Sequence, residues 1–442
     1  MIARHYEQAG LAAQAIAHYQ RAGERATQRW ANEEAIGHLR RALALVETMP
    51  ETRERHQREL GLQMAIGAPL SAARGWSNPD YEGVYVRARA LASQIGEAPE
   101  LPRVLEGMGA AYLMKGDLTT AVEIGNEALA AAERTGEAFD LLLGHISLGT
   151  ALAYQGHFTQ GLEHLEQAIA LYDPGTHAAF AYALGFDRGA AAHAHAASCH
   201  VYLGHLDRAL ALSEQGVALA RRLDHPLSLA LTLFQNGLVH FERRELDRMA
   251  ERIGELVRLA EELGFPFWLG VGSFFRGIAR VESGAGEAGV AQMQQAVVDL
   301  AGIGNGLGAS AFLLVLATAL WKVGRPDEAL GMLDLGFAQA EMTSQHYCDA
   351  ELHRLRGEIL LDKDAGAAEE AESQFGQALE VARRQEAKLF ELRVATRLAS
   401  LWRHQSKRDQ ARALLAPVHD WFTEGFDTRD LKDAKALLAE LG

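Results

Sequence analysis

GIARVESGAGEAGVAQMQQA, residues 277–296, sets a small residue at Gly277, a break at Gly284, and then Gly289, Met293 and Ala296 at helical spacing. The skeleton returns 40 residues earlier as Gly237, Met249, Ile253 and Leu256, and 40 later as Ala317, Gly324, Ala329, Leu333 and Gly336. Further copies carry Gly109, Gly116, Ala121 and Ala128, then Gly149, Gly156, Gly161 and Ala168. The place of Gly289 is filled along the chain by Tyr81, Ala121, Gly161, Ala209, Met249, Gly289, Ala329, Ala371 and Ala411, in steps of 40, 40, 48, 40, 40, 40, 42 and 40. Unrelated loops do not keep such a register, so the chain is a repeat array. In each unit the small residues stand where two helices must approach closely, which makes the unit a helical hairpin.

Composition agrees. Of 442 residues 48% are apolar and only 10 are proline, and no run of Val, Ile and Thr alternates with polar residues, so the chain is mostly helical. The unbroken period argues for one solenoid in which each hairpin buries its apolar face on its neighbours. The two cysteines, Cys199 and Cys348, with no stretch that reads as a secretory leader or a bilayer span, imply the reducing cytoplasm. A net charge of −15 repels phosphate backbones and anionic lipid surfaces, which argues against nucleic-acid and membrane partners. The basic pairs Arg40-Arg41, Arg221-Arg222, Arg243-Arg244 and Arg383-Arg384 read as cations near helix ends or on solvated faces.

Taken in order, residues 1–50 form irregular hairpins. Tyr6, Gly10, Ala15, Tyr19 and Ala22 place Met1 already inside a first helix, as in a chain cut from a longer parent, and Ala35, Leu39 and Ala42 follow only 20 residues on. Repeats then occupy 51–172. Gly75 stops a long helix, Asn78 caps the next and Pro79 opens it, while Trp76 between them plugs a seam or faces a partner. Residues 173–189 are an insertion, opened by a turn at Asp173-Pro174-Gly175. Repeats resume over 190–425, and 426–442 form a capping helix with Leu431, Ala434, Leu437, Leu438 and Leu441 on one stripe.

The pattern resembles the tetratricopeptide repeat, in which Gly109, Tyr112, Gly116, Ala121 and Ala128 match five places; the period of about 40 exceeds the usual 34 or so. The resemblance implies an all-α, TPR-like solenoid wound as a right-handed superhelix. HPLSLALTLFQNGLVHFERRE, GFPFWLGVGSFFRGIARVESG, AELHRLRGEILL and above all LAPVHDWFTEGFDTRDLKDAKALLAEL are similar to the C-terminal TPR region of large bacterial STAND-type signalling ATPases, many of them fused to adenylate cyclase domains. In that family the nucleotide chemistry lies upstream of the repeats, so the resemblance implies neither activity for this chain.

The residues offer little chemistry. AGIGNGLGAS, residues 301–310, lacks a phosphate-loop lysine and the GxGxxG spacing, and falls at an inter-unit turn. His193, His195, Cys199 and His200 gather, with His205 beyond, but helical spacing splits the four between two faces; a metal-dependent hydrolase around His193 to His205 is an unfavoured alternative. Asp362, Asp364 and Gly366 fail the calcium-loop spacing. No cofactor, metal or catalytic set is expected.

In the tetratricopeptide family the first helices line the concave face. Carried over, that register gives a groove of Thr150, Tyr154, His195, Ser198, Tyr202, Gln235, Glu242, Phe275, Glu282, Thr318, Lys322, Arg354, Glu358 and Arg397, a mixture of aromatic anchors and both charge signs. The expectation is a non-catalytic scaffold or sensor that holds a protein, peptide or small effector there and regulates an upstream ATPase or cyclase. Self-association through an exposed end of the array is the alternative.

Overall fold

A computed structural model describes residues 2–96 and 98–442, the side chain of residue 365 excepted. Met1, expected inside a first helix, lies outside them; the first helix begins at Ile2. The described residues fold into α-helical hairpins joined by short turns, with helices packing on their chain neighbours throughout. The fold is an all-α, TPR-like solenoid.

The unit that contains residues 277–296 shows why the small residues recur. Its helices Pro266–Glu282 and Gly286–Gly302 cross with Gly277 against Gly289. A Cβ on Gly289 would stand 2.6 Å from the Gly277 carbonyl oxygen, and one on Gly277 would stand 2.9 Å from that of Gly289. Only glycine lets the backbones meet so closely, and Met293 and Ala296 then close the core below them.

At the N-terminal end, Ala12–Gln28 packs on Asn32–Glu47 and also reaches Arg53–Arg74. Gly75 ends that long helix at φ +84°, and the Asn78 side chain accepts from the Asp80 amide ahead of Pro79–Ile95. The capping helix Arg429–Leu441 buries Leu431, Ala434, Leu437 and Leu441, following Thr428.

The long step at 173–189 holds three short helical pieces, Pro174–His177, Ala178–Phe180 and Ala181–Leu184. Phe180 stacks on Phe139 at 4.4 Å, Tyr182 meets Trp30 and His225, and Phe186 meets Trp76. The insertion is therefore packed into the array, bridging its first helices to its middle.

The solenoid winds back onto itself. Trp30 packs edge-on against Phe265, and Trp76 against Phe267. The amides of Gly306 and Leu307 donate to the Met114 carbonyl at 2.9 and 3.2 Å. Thr119 meets Ser344 across 225 residues of sequence, and Thr159 meets Glu386 across 227. Glu424 accepts from the amides of Asp207 and Arg208. At residues 265, 305, 345, 385 and 425, spaced by one period, inter-unit turns of the second winding lie on the hairpin turns of the first. About five and a half units thus complete one winding, and a second is seated directly on it.

Candidate ligand cavity

Stacking two windings converts the concave face into a partly open cavity of about 360 Å³. The first helices supply its wall, because their inward residues are the ones not used against the second helices. The aromatic wall comes chiefly from residues 265–276, where Phe267, Trp268, Phe274 and Phe275 face it beside Phe234, Phe241 and Phe312. Aliphatic side chains such as Leu238, Leu314 and Val315 complete that part.

Of the residues expected in the groove, Tyr154, His195, Ser198, Tyr202, Gln235, Glu242, Phe275, Glu282, Thr318, Lys322 and Arg354 line this cavity. Thr150, Glu358 and Arg397 do not. Thr150 is buried among the helices, and Glu358 lies behind the wall, where it takes ion pairs from both Arg354 and the exposed Arg397.

The polar part of the wall has two regions. In the first, Ser198 Oγ donates to Gln235 Oε1 at 2.9 Å, and the Gln235 amide lies 3.4 Å from His195 Nδ1. Burial, aided by the charge of Arg188, pushes His195 down to about 4, so the ring is neutral at neutral pH. Tyr154 sits edge-on to Tyr347 at 5.2 Å, and burial pushes its hydroxyl up to about 12. Cys199, also raised to about 12 by burial, is a packed thiol.

The second region is a charged network around Glu242 and Glu351. Arg393 bonds Glu242 Oε2, the Glu242 carbonyl and Asp430 at 2.7–2.8 Å. Arg354 makes two bonds to Glu351 at 2.8 Å and one to Glu358 at 2.7 Å. Burial works to raise the Glu351 carboxyl, but Arg354 and Arg393 hold it below the usual carboxylate range. Lys322 pairs with Glu282.

Sequence reasoning missed most of the aromatic wall and the residues Arg244, Arg393 and Arg429 that join it. A signal for the former exists: Phe265, Phe267, Trp268, Phe274 and Phe275 crowd a single first helix and its entry. Arg243 corrects the solvated-face reading, whereas Arg244 beside it keeps an exposed side chain. Arg243 is buried at 4% exposure and bonds the Leu206 carbonyl, Asp207 and Glu245. Its chain neighbourhood is the seam between windings, so the guanidinium is enclosed.

The histidine group does not assemble. His193 donates to the Gly189 carbonyl at 2.8 Å, and His200 stacks edge-on with His205. Among the described residues no three His, Cys, Asp or Glu side chains converge as metal ligands, and no helix is long and apolar enough to cross a membrane. Asp364 accepts from the Gly366 amide in a local turn. The 301–310 loop is the inter-unit turn that docks on Met114.

No family profile and no curated protein matches the chain. Solved structures are similar to it at the level of stacked helical hairpins. A Rap protein in complex with competence and sporulation factor is 12% identical, with a TM-score of 0.47, over 97% of this chain and 100% of that one. The apo quorum sensor NprR of B. thuringiensis is 14% identical, with a TM-score of 0.48, over 83% and 99%. A STAND protein with a tetratricopeptide repeat sensor from Pyrococcus horikoshii is 14% identical, with a TM-score of 0.45, over 89% of this chain and 55% of that one.

Proposed function

We propose that this chain is a non-catalytic helical-repeat sensor that takes a peptide segment or small effector into the cavity between its two windings. The observation that carries the reading is the cavity itself: about 360 Å³, walled by aromatic side chains with a few polar groups at defined places, the composition of a ligand site. The lever is the stacking of the windings. A ligand that touches both favours the closed arrangement by no more than its differential affinity for it. The further step, in which occupancy is read by an upstream ATPase or cyclase module, rests on the resemblance of residues 415–441 to the STAND repeat regions.

The test uses N-phenyl-1-naphthylamine, a neutral aromatic dye that fluoresces when it leaves water. The native chain is expected to bind it saturably, and Ala311→Trp, which fills the cavity from its wall, to lose that binding while keeping its helical circular dichroism. Equal binding by both proteins, or none by the native chain, removes the cavity as the site.

A further inference from the structure

Resting on the reading of the cavity as a ligand site, we propose that its ligand carries an anionic head group, a carboxylate on an apolar body, and that Arg244 receives it.

Arg244 stands where the hairpin turn requires a left-handed backbone, at φ +64°. The equivalent places in the units around it are Gly116, Gly156, Gly204, Gly284 and Gly324, all at positive φ. Glycine adopts that conformation freely, whereas a long side chain is strained in it. Strain of this kind persists where the surroundings hold it, and it gathers at functional sites. Here it directs a guanidinium to the cavity wall.

Arg244 is loosely paired there. Lys322, Arg354 and Arg393, which share the wall, are each hydrogen-bonded to carboxylates. Arg244 makes no side-chain hydrogen bond among the described residues, and the only carboxylate in ion-pair range is Asp430 at 3.6 Å. Asp430 is already held by Arg393 at 2.8 Å. Arg393 in turn crowds Arg244 and lowers it from the usual arginine range, while the Arg244 side chain keeps 37% of its surface exposed. A planar donor with no hydrogen-bond partner beside two other guanidiniums, in a wall shared with Phe241, Phe275 and Leu238, suits a carboxylate whose body is apolar. A free amphiphilic acid and the C-terminal residue of a peptide share that chemistry.

The probes are 8-anilinonaphthalene-1-sulfonate and N-phenyl-1-naphthylamine, the same aromatic body with and without an anionic group. The native chain is expected to prefer the sulfonate. Arg244→Gly, the residue that neighbouring units carry, is expected to lower sulfonate affinity about ten- to a hundredfold and leave the neutral dye unchanged. Retained sulfonate affinity, or an equal loss of both dyes, overturns the assignment while binding of the neutral dye keeps the cavity. Failure of the native chain to bind either dye overturns both.

Displacement of the sulfonate then names the source. Decanoate against decanamide tests the free acid, and N-acetyl-Leu-Phe against its C-terminal amide tests the peptide. Displacement by either acid and not its amide supports the proposal; equal displacement by acid and amide overturns it.

Discussion

Two residues concentrate the trade between stability and binding. Arg244→Gly removes a strained left-handed arginine, and the relief of about 1–2 kcal/mol, less the extra freedom glycine gains on unfolding, should leave the variant about 1 kcal/mol more stable. Urea unfolding checks this; a loss of stability would make Arg244 a structural ion-pair partner of Asp430. His225 sets a pH dependence. It is 1% exposed, wedged against Trp30 and Tyr182, and accepts from the Ser228 amide through Nδ1. Burial lowers it to about 4, so as pH falls the unfolded chain takes the proton first. Its contribution to stability is whole above about 6.5 and declines toward 4, by up to about 1.4 kcal/mol per pH unit. His225→Asn, which keeps a capping side chain, should flatten that decline in melting curves taken from pH 7 to 4.5. An unchanged slope would assign the effect to His195 and His200, whose values burial also lowers to about 4.

Among the elements, the turns decide whether the windings stack. Gln345 is fully buried; its amide donates to the Gly306 carbonyl at 2.9 Å and its oxygen accepts from the Gly308 amide at 2.7 Å. It lies over Gly116, where a Cβ would stand 2.8 Å from Gln345 Nε2 and 3.1 Å from the Gly306 oxygen. Gln385 repeats the arrangement one period on, over Gly156, donating to the His346 carbonyl at 2.8 Å. Gly116→Ala therefore meets both backbone strain and a clash. Gly136→Ala, at φ +70° with no atom within 4 Å, meets strain alone. Both should lose about 1 kcal/mol from the left-handed alanine, and Gly116→Ala about 1–3 kcal/mol more with an enlarged radius of gyration. Equal losses, with no change in scattering, would mean that the windings do not depend on this contact.

At the scale of the whole molecule, stacking and binding are one equilibrium. Saturation with N-phenyl-1-naphthylamine at about 100 times its dissociation constant should raise stability by about 2.7 kcal/mol. The double variant Gln345→Leu, Gln385→Leu leaves the cavity wall intact but orphans the Gly308 amide and the Gly306 and His346 carbonyls in the turns that rest on Gly116 and Gly156, so it should weaken the dye and expand the molecule. Scattering profiles of free and saturated native chain should differ, with the saturated form more compact. Superimposable profiles at full saturation would show that the closed winding is already complete without ligand.

What the sequence determined by itself was the periodic part: the hairpins, their order, the close approach of Gly277 to Gly289, and the stops at Gly75 and Gly116. These follow from local rules, because a helix face, a cap or a small-residue crossing is decided by residues within one unit and its neighbour. The first-helix register likewise placed Tyr154, Gln235 and Phe275 on the inner side, since every unit repeats the same geometry. Only the tertiary structure decided that the inner side becomes a cavity between two windings. The contacts that close it join residues more than 180 places apart, Thr119 to Ser344 and Arg243 to Asp427 among them, and their pairing depends on how small rotations accumulate over the units of a winding. No single unit encodes that sum. Arg244 belongs to both accounts: the period marks it as an arginine in a glycine's place, and only the returning second winding, where Arg393 holds Asp430 by a hydrogen bond, leaves it with a single loose ion pair.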